Sequence, residues 1–143
     1  MEIIEFRVIN VPPSNVKERK VIILGYERLV DGVWSYMSAS AYDAYLMQDA
    51  SPAWFSGSPY AGLFNKRCQY TSKQDRNKKW IYDGDILTNG YHNAVVYWSE
   101  FSAQWIAENR KEYFIWNPED FDLLEVIGNK YENEKLYEEI KDL

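Results

Sequence analysis

Few residues in this chain belong to the types that most often carry out chemistry. His92 is the single histidine and Cys68 the single cysteine. Two such residues are too few for a zinc site, which needs three or four ligands, and neither stands in a recognisable pattern of nucleophile and base. The sequence also lacks the glycine-rich motifs that cradle phosphates. We therefore expect the protein to hold no metal and no cofactor.

Asp83 and Asp85 are the remaining candidates for catalysis, because paired carboxylates can serve as general acid and general base. A hydrolase would bring them close to Asp120 or Asp122. The Asp-x-Asp spacing lacks the other ligands and the glycine spacing of a calcium-binding loop. In a chain with 22 acidic residues, such pairs arise by chance. We predict a protein that is not an enzyme and keep the hydrolase as the weakest of three hypotheses.

The composition is typical of one globular domain inside the cell. A length of 143 residues allows a core without covalent cross-links, and a single cysteine cannot form an internal disulfide, which predicts a reducing compartment. The first residues are acidic where a signal peptide is basic, and no stretch is long and apolar enough for a membrane span. The net charge of -6 disfavours binding to nucleic acid by the chain as a whole. We expect a cytoplasmic protein that does not bind membranes.

Strand patterns dominate the first third of the sequence. Residues 3–9 alternate between apolar and polar side chains, which is the period of an amphipathic strand. The pair Asp31-Gly32 separates two β-prone runs, 21–30 and 33–36. Because a type I′ turn needs positive φ at both central positions, this pair predicts a tight hairpin.

Two short helices are predicted. Residues 40–47 form the first, which begins after Ser38 or Ser40 as the capping residue. Residues 134–141 form a closing helix, for which Asn133 is the candidate cap.

The second half consists of short β-prone runs between turn residues. These runs are 80–82, 86–88, 94–98, 101–107, 113–116 and 121–127. Close spacing without intervening helices favours an antiparallel, curled sheet. We predict a mainly β (α+β) protein with a small antiparallel, SH3-like or partly open β-barrel in its C-terminal half. A strand and hairpin portion, one short internal helix and a C-terminal helix complete the predicted fold.

Aromatic and charged residues suggest where a partner would bind. The run 50–62 reads as a long loop that carries Trp54, Phe55 and Tyr60. Basic residues cluster at positions 66–79, whereas the run 119–142 is strongly acidic. Such asymmetry favours self-association through opposite patches or docking on a charged partner, and the alternative is two solvated surfaces.

The segment 69–87 resembles the signature of the YopX family, a group of small phage and prophage proteins. It combines Tyr-Thr, a polar turn with Asp and Asn, and the run Ile-Tyr-Asp-Gly-Asp-Ile. The closing stretch at 125–133, Glu-Val-Ile-Gly-Asn-Lys-Tyr-Glu-Asn, is similar to the family's own closing stretch. The chain departs from the family pattern at Ser72 and Lys78, where the family tends to have glycine. The resemblance implies one YopX-like domain over 1–143, with a variable portion at 1–66 and a family-matching β-barrel portion at 67–143.

The motif residues have structural roles available to them. Asp75 and Asn77 can bond the backbone of their own turn, Gly84 permits a tight bend, and Asp85 can accept neighbouring N–H groups. Because Lys78 replaces glycine, we expect a wider loop at that turn. The residues that we expect to shape turns and a barrel corner are Tyr70, Thr71, Asp75, Asn77, Ile81, Tyr82, Asp83, Gly84, Asp85, Ile127, Gly128, Asn129, Tyr131 and Asn133.

The resemblance implies a phage or prophage origin and hence a bacterial cytoplasm, but it carries no activity with it. Our first hypothesis is an accessory module that binds a host or phage protein, with a homo-oligomer as a further option. The second is binding of single-stranded nucleic acid through the basic run 73–79, with Tyr70 and Trp80 as stacking platforms. The residues that we expect to contact a partner under these hypotheses are Trp54, Phe55, Tyr60, Arg76, Lys78 and Lys79.

Overall fold

The structure is a computed structural model that describes residues 3–48 and 53–141. The backbone groups into two compact units, Met1–Tyr70 and Thr71–Leu143. The prediction of a single domain divided at residues 66 and 67 stays a prediction. No helix in the described ranges is both long enough and apolar enough to cross a lipid bilayer.

The first unit is an antiparallel sheet with one helix. Its elements are β1 (Ile3–Asn10), β2 (Ile22–Val30), β3 (Val33–Ser38), α1 (Ala39–Gln48), β4 (Phe55–Ser56) and the first part of β5 (Asn65–Gln74). Within this unit the strand order is β4-β3-β2-β1-β5. The predicted Asp31-Gly32 hairpin is confirmed, since Val30 pairs with Val33 and both turn residues have positive φ, 49° and 82°.

Helix α1 packs its buried side against β2. The rings of Tyr26 and Tyr42 lie 4.4 Å apart between their centroids, and both side chains are buried. The predicted cap is Ser38, whose Oγ accepts the backbone N–H of Ala41 at 3.1 Å. Of the predicted loop 50–62, residues 50–52 lie outside the described residues.

The second unit begins with the end of β5 and continues through a second antiparallel sheet. Its elements are β6 (Trp80–Tyr82), β7 (Asp85–Thr88), β8 (Asn93–Ser99), β9 (Gln104–Asn109), β10 (Phe114–Trp116), a 3-10 helix (Pro118–Leu123), β11 (Glu125–Asn129) and α2 (Glu134–Glu138). The order within this sheet is β10-β9-β8-β7-β11. β6 is the neighbour of β5.

One face of this second sheet carries the unit's core. Buried residues on that face include Leu87, Ala94, Val96 and Ala107. Phe121 of the 3-10 helix and Leu124, which directly follows the helix, add to this core. Side chains alternate along a strand, so the neighbours of the core residues face the other way. The opposite face therefore bears Tyr97, Glu108 and Ile115, which bound the pockets described below.

The mainly β fold is confirmed, but the strands do not close into a barrel. β10 and β11 stand at opposite edges of the second sheet. The predicted strand 121–127 is wrong over its first part, because residues 118–123 form the 3-10 helix and the strand is Glu125–Asn129. This helix covers the core face, and β11 then pairs with β7. Closure would require β11 to pair with β10 in addition to β7.

Candidate functional site

The turn around Asp75 is held by a network of hydrogen bonds to its own backbone. The carboxylate oxygen Oδ1 accepts the N–H groups of Asn77 at 2.8 Å and Lys79 at 2.9 Å. The other oxygen, Oδ2, accepts the N–H of Val126 in β11 at 2.9 Å. The loop is wider than a two-residue turn, as expected, because the Asp75 N–H donates to the Lys79 carbonyl at 2.8 Å and three residues lie between them. Lys78 takes the left-handed conformation with φ of 64°, and its N–H donates to the Asp75 carbonyl at 3.0 Å.

Gly84 forms a bend that joins three strands of the second sheet. Its φ is 88°, its N–H donates to the Val96 carbonyl at 2.9 Å, and its carbonyl accepts the N–H of Lys130 at 2.9 Å. Asp85 is fully buried, and its Oδ2 accepts the N–H of Tyr82 at 2.8 Å. The bend is therefore the corner of a sheet rather than of a barrel, and Asp85 faces no solvent-borne substrate in this conformation.

The closing motif folds back on itself. Oδ1 of Asn129 accepts the N–H groups of Tyr131 and Glu132, each at 2.9 Å. Asn133 lies at the start of α2, but its side chain makes no capping bond there. Instead its Oδ1 accepts the N–H of Asn129 at 3.0 Å, so the predicted side-chain cap is wrong. Gly128 packs against this amide without room for a Cβ.

The two family-like motifs are neighbours in space. Asp85 pairs with Asn129 in the register of β7 and β11, and Asp75 reaches Val126. Of the other motif residues, Thr71 donates its hydroxyl to the Ile81 carbonyl at 2.8 Å. Ile81 and Tyr82 are buried, Tyr70 and Asp83 are half-buried, and Ile127 is exposed.

The basic run 73–79 offers less to nucleic acid than predicted. Trp80 is only 8% exposed, so its ring is not presented to a base, and the prediction of a stacking platform there is wrong. Arg76 is held by Glu125 through an ion pair of 2.5 Å. Lys78 is exposed and Lys79 half-buried.

The predicted contact loop is fastened to the first unit's sheet. Phe55 pairs with Tyr36 in the register of β3 and β4, and the ring of Tyr60 meets that of Tyr36 edge-on at 5.9 Å between centroids. The guanidinium of Arg28 lies 4.6 Å from the centre of the Trp54 ring. Phe55 is nevertheless 58% exposed, which keeps it available for contact.

Glu27 provides a further anchor for this loop. Its side chain is fully buried, accepts the hydroxyl of Ser58 and pairs with Nε of Arg67 at 3.0 Å. Arg67 also lies over the ring of Trp34, 4.9 Å from its centre. The burial of Tyr60, together with the nearby tyrosine and Glu27, raises the pKa of Tyr60 above its ordinary value.

A candidate binding site lies on the outer face of the second sheet. A pocket of ≈ 220 Å³ lies there. It is lined by residues of β8, of β9 with the turn after it, and of the run 130–141, which we call the C-terminal segment: Val95, Val96, Tyr97, Glu108, Arg110, Lys130, Tyr137, Ile140 and Lys141. Pockets that combine an apolar wall with a few converging polar groups are the usual form of a ligand site.

Glu108 organises the polar part of this pocket. It accepts the hydroxyl of Tyr97 and Nε of Arg110 at 2.8 Å. Burial and the Glu108 hydrogen bond raise the pKa of Tyr97 above its ordinary value, although Arg110 acts in the opposite direction. Tyr97 therefore stays a hydroxyl at neutral pH, and Arg110 is held in a fixed position.

A second, more open pocket adjoins the first along β10. Its volume is ≈ 460 Å³, and it is lined by Glu108, Asn109, Arg110, Tyr113, Phe114 and Ile115. Tyr113 is 90% and Ile115 53% exposed. Tyr113 lies in the β9–β10 turn, and Phe114 and Ile115 lie in the edge strand β10. We call these three residues the β10 surface. It adds an apolar rim beside a charged pocket.

Sequence reasoning missed these pocket residues. The alternation read through 101–107 continues to Glu108 and Arg110 and places both on the face of Ile106, which was a usable signal. Lys130 and Lys141 gave no comparable signal, because they reach the pocket only through the way the C-terminal segment folds. Among the described residues, no group of three or more His, Cys, Asp and Glu side chains is placed to hold a metal ion.

Comparison with known proteins gives one positive result. The model of the YopX family, described as "YopX protein", matches residues 35–138. The match covers both family-like motifs and the pocket residues up to Tyr137, whereas Ile140 and Lys141 lie beyond its end. No curated protein is significantly similar to the chain.

Proposed function

The chain belongs to the YopX family, and we propose that it is a phage or prophage accessory protein that binds another protein in a bacterial cytoplasm and does not catalyse a reaction. The observation that carries this proposal is the β10 surface. It presents apolar side chains at the edge of a sheet, where a partner can reach both the side chains and the backbone.

Edge position is the first argument. β10 pairs with β9 and stands at the end of the strand order. The outer edge of such a strand can pair with an added strand. Because β10 has only three residues, side-chain contacts must supply most of the affinity.

Exposed apolar area is the second argument. Tyr113 and Ile115 are both largely exposed, and the adjoining pocket has room for an apolar side chain of the partner. Tyrosine is among the residues that dominate binding energy in interfaces. Phe55 in the first unit offers a smaller contact of the same kind, since its neighbours Trp54 and Tyr60 are packed against other side chains.

A matched pair of variants tests the β10 surface. Tyr113→Asn with Ile115→Ser removes its apolar groups, and asparagine tolerates the positive φ of position 113. Phe101→Asn with Leu123→Ser removes similarly exposed groups from the β8–β9 turn and the 3-10 helix. The wild type and the control variant should recover the same partner proteins from phage-infected cells. The β10 variant should recover at least tenfold less of these proteins. Equal recovery by all three would contradict the proposed surface.

Light scattering of the purified protein separates a foreign partner from a second copy. If the protein associates with itself and only the β10 variant is monomeric, the partner is another copy of this chain. The nucleic-acid hypothesis has less support, because Trp80 is buried and Arg76 is paired with Glu125. The hydrolase hypothesis is weaker still, because Asp85 is buried and bonded to the backbone.

A further inference from the structure

The enclosed pocket of the second unit is built under the C-terminal segment. Ile140 is buried, and its carbonyl accepts the N–H of Arg110 at 3.0 Å. This anchor holds Tyr137 and Lys141 over the outer face of β8 and β9, where they line the pocket. The pocket therefore exists only when the segment is docked, and its walls are fixed by buried contacts.

Positive charge is concentrated in this pocket. Arg110, Lys130 and Lys141 line it against a single carboxylate, Glu108. Glu138 lies beside it in an ion pair with Lys141 at 2.8 Å. Among the described residues at the pocket, three cations against two carboxylates leave an excess positive charge, although the whole chain carries -6. Such a pocket repels metal cations and attracts anions.

Arg110 has the geometry for an anion. Its guanidinium has five N–H donors in a planar fork, and the Nε donor is bound to Glu108. The bond to Glu108 fixes the position of the guanidinium. Glu108 and Tyr97 together use fewer than its five N–H donors, so donors remain for an anion. The apolar wall formed by Val95 and Ile140 excludes water on one side of the pocket, while the Arg110 side chain, 58% exposed, can be reached by an anion from solvent.

We propose that this pocket binds a small oxyanion, namely a phosphate or carboxylate group, through the Arg110 guanidinium with Lys130 and Lys141 as additional positive charges. The Tyr97 and Tyr137 side chains form its walls, and Glu108 is a positioning residue for Arg110. The site shares Glu108 and Arg110 with the pocket beside the β10 surface, but anion binding does not require a partner on that surface.

Two titrations followed by amide NMR spectra of the whole chain test the proposal. One uses sodium phosphate and the other sodium acetate, both at constant ionic strength adjusted with chloride. We expect saturable shifts at the amides of Tyr97, Arg110 and Lys130 with at least one of the two. Phosphate alone points to a phosphorylated ligand, and acetate alone or both point to a carboxylate or a general oxyanion site. Both titrations also weaken at higher salt, because screening reduces the attraction.

Variants decide whether the pocket is responsible. Arg110→Gln and Lys130→Gln should each weaken binding at least tenfold, whereas Arg110→Lys, which keeps the charge but not the fork, should have a smaller effect. Lys111→Gln and Lys135→Gln are the controls, since both residues are exposed and do not line the pocket. The spectra also report whether each variant is folded. The proposal is overturned if neither anion gives saturable shifts, or if the pocket and control variants bind equally.

Discussion

Removing the Asp75 carboxylate tests how much the turn network contributes to the stability of the second unit. Asp75 is only 4% exposed and accepts three backbone N–H groups. A hydrogen bond to a charged acceptor is worth roughly 1.5–3 kcal/mol. The N–H of Asn77 is in an exposed turn where water can replace the carboxylate, so the loss comes mainly from Lys79 and Val126, which are half-buried.

Asp75→Ala should therefore lower the free energy of unfolding by about 3 kcal/mol, counting two bonds at the low end of that range. In urea unfolding, this corresponds to a midpoint about 1.5 M lower at a slope of about 2 kcal/mol per M. Asp75→Asn keeps one acceptor oxygen and should lose less. Hydrogen exchange at the Val126 amide should speed up by the same free energy, which locates the effect in this unit.

The matched control is Asp122→Ala, because Asp122 is an exposed acid of the same unit. A change within about 0.5 kcal/mol is expected there. If Asp75→Ala costs less than about 1 kcal/mol, or no more than the control, the turn network is not a main source of stability and the structural reading of the motif fails.

Three further predictions concern backbone strain and burial. Lys78→Gly should raise the free energy of unfolding by about 0.5–1 kcal/mol, because φ is 64° there, whereas Lys79→Gly should lower it. Burial raises the pKa of Glu5 despite the opposing effect of Arg28. The stability that protonated Glu5 contributes is therefore fully present below the ordinary pKa of 4.5 and is lost as the pH rises. Glu5→Gln should accordingly raise the melting temperature at pH 7 and not at pH 4. Because the pKa of Tyr97 is also raised, wild-type stability should fall above about pH 10, and Tyr97→Phe should reduce that fall in thermal melts.

Local signals predicted the parts of the fold that depend on few residues. The Asp31-Gly32 pair predicts its hairpin because both positions need positive φ. The capping serines, Ser38 or Ser40, predict the start of α1, and the structure selects Ser38, whose hydroxyl reaches Ala41. Neither inference requires knowledge of distant contacts. The alternation at residues 3–9 is equally local, and β1 extends it by one residue.

Elements with an ambiguous period were predicted less well. Residues 121–127 are β-prone, yet Phe121 and Leu124 are both buried in one core. Leu124 directly follows the 3-10 helix, and its N–H donates to the Phe121 carbonyl at 3.1 Å. The spacing of three residues therefore keeps both side chains on one side, whereas alternation in a strand would separate them. The turn residue Asn117 before Pro118 is compatible with this helix start, but only the packed core decides between the two periods. The same dependence on tertiary contacts explains why the prediction of a β-barrel was wrong.

The candidate pocket depends on still more distant relations. Glu108 and Arg110 come from β9 and the turn after it, whereas Lys141 arrives through the docking of Ile140. No spacing in the sequence encodes this meeting, since it requires the strand register and the path of the last segment together. A resemblance based on short motifs does not reveal the pocket, for the same reason.

Motif residues and pocket residues should therefore respond differently to substitution. The Asp75 carboxylate and the Gly84 backbone bond backbone groups of other segments, so replacement of either residue should reduce binding only by reducing the folded fraction. Arg110 and Tyr113 are exposed, so their substitution should change binding at unchanged stability. If a motif variant lost binding while keeping the wild-type free energy of unfolding, the motif itself would contact the ligand, and the division between architecture and site would be wrong.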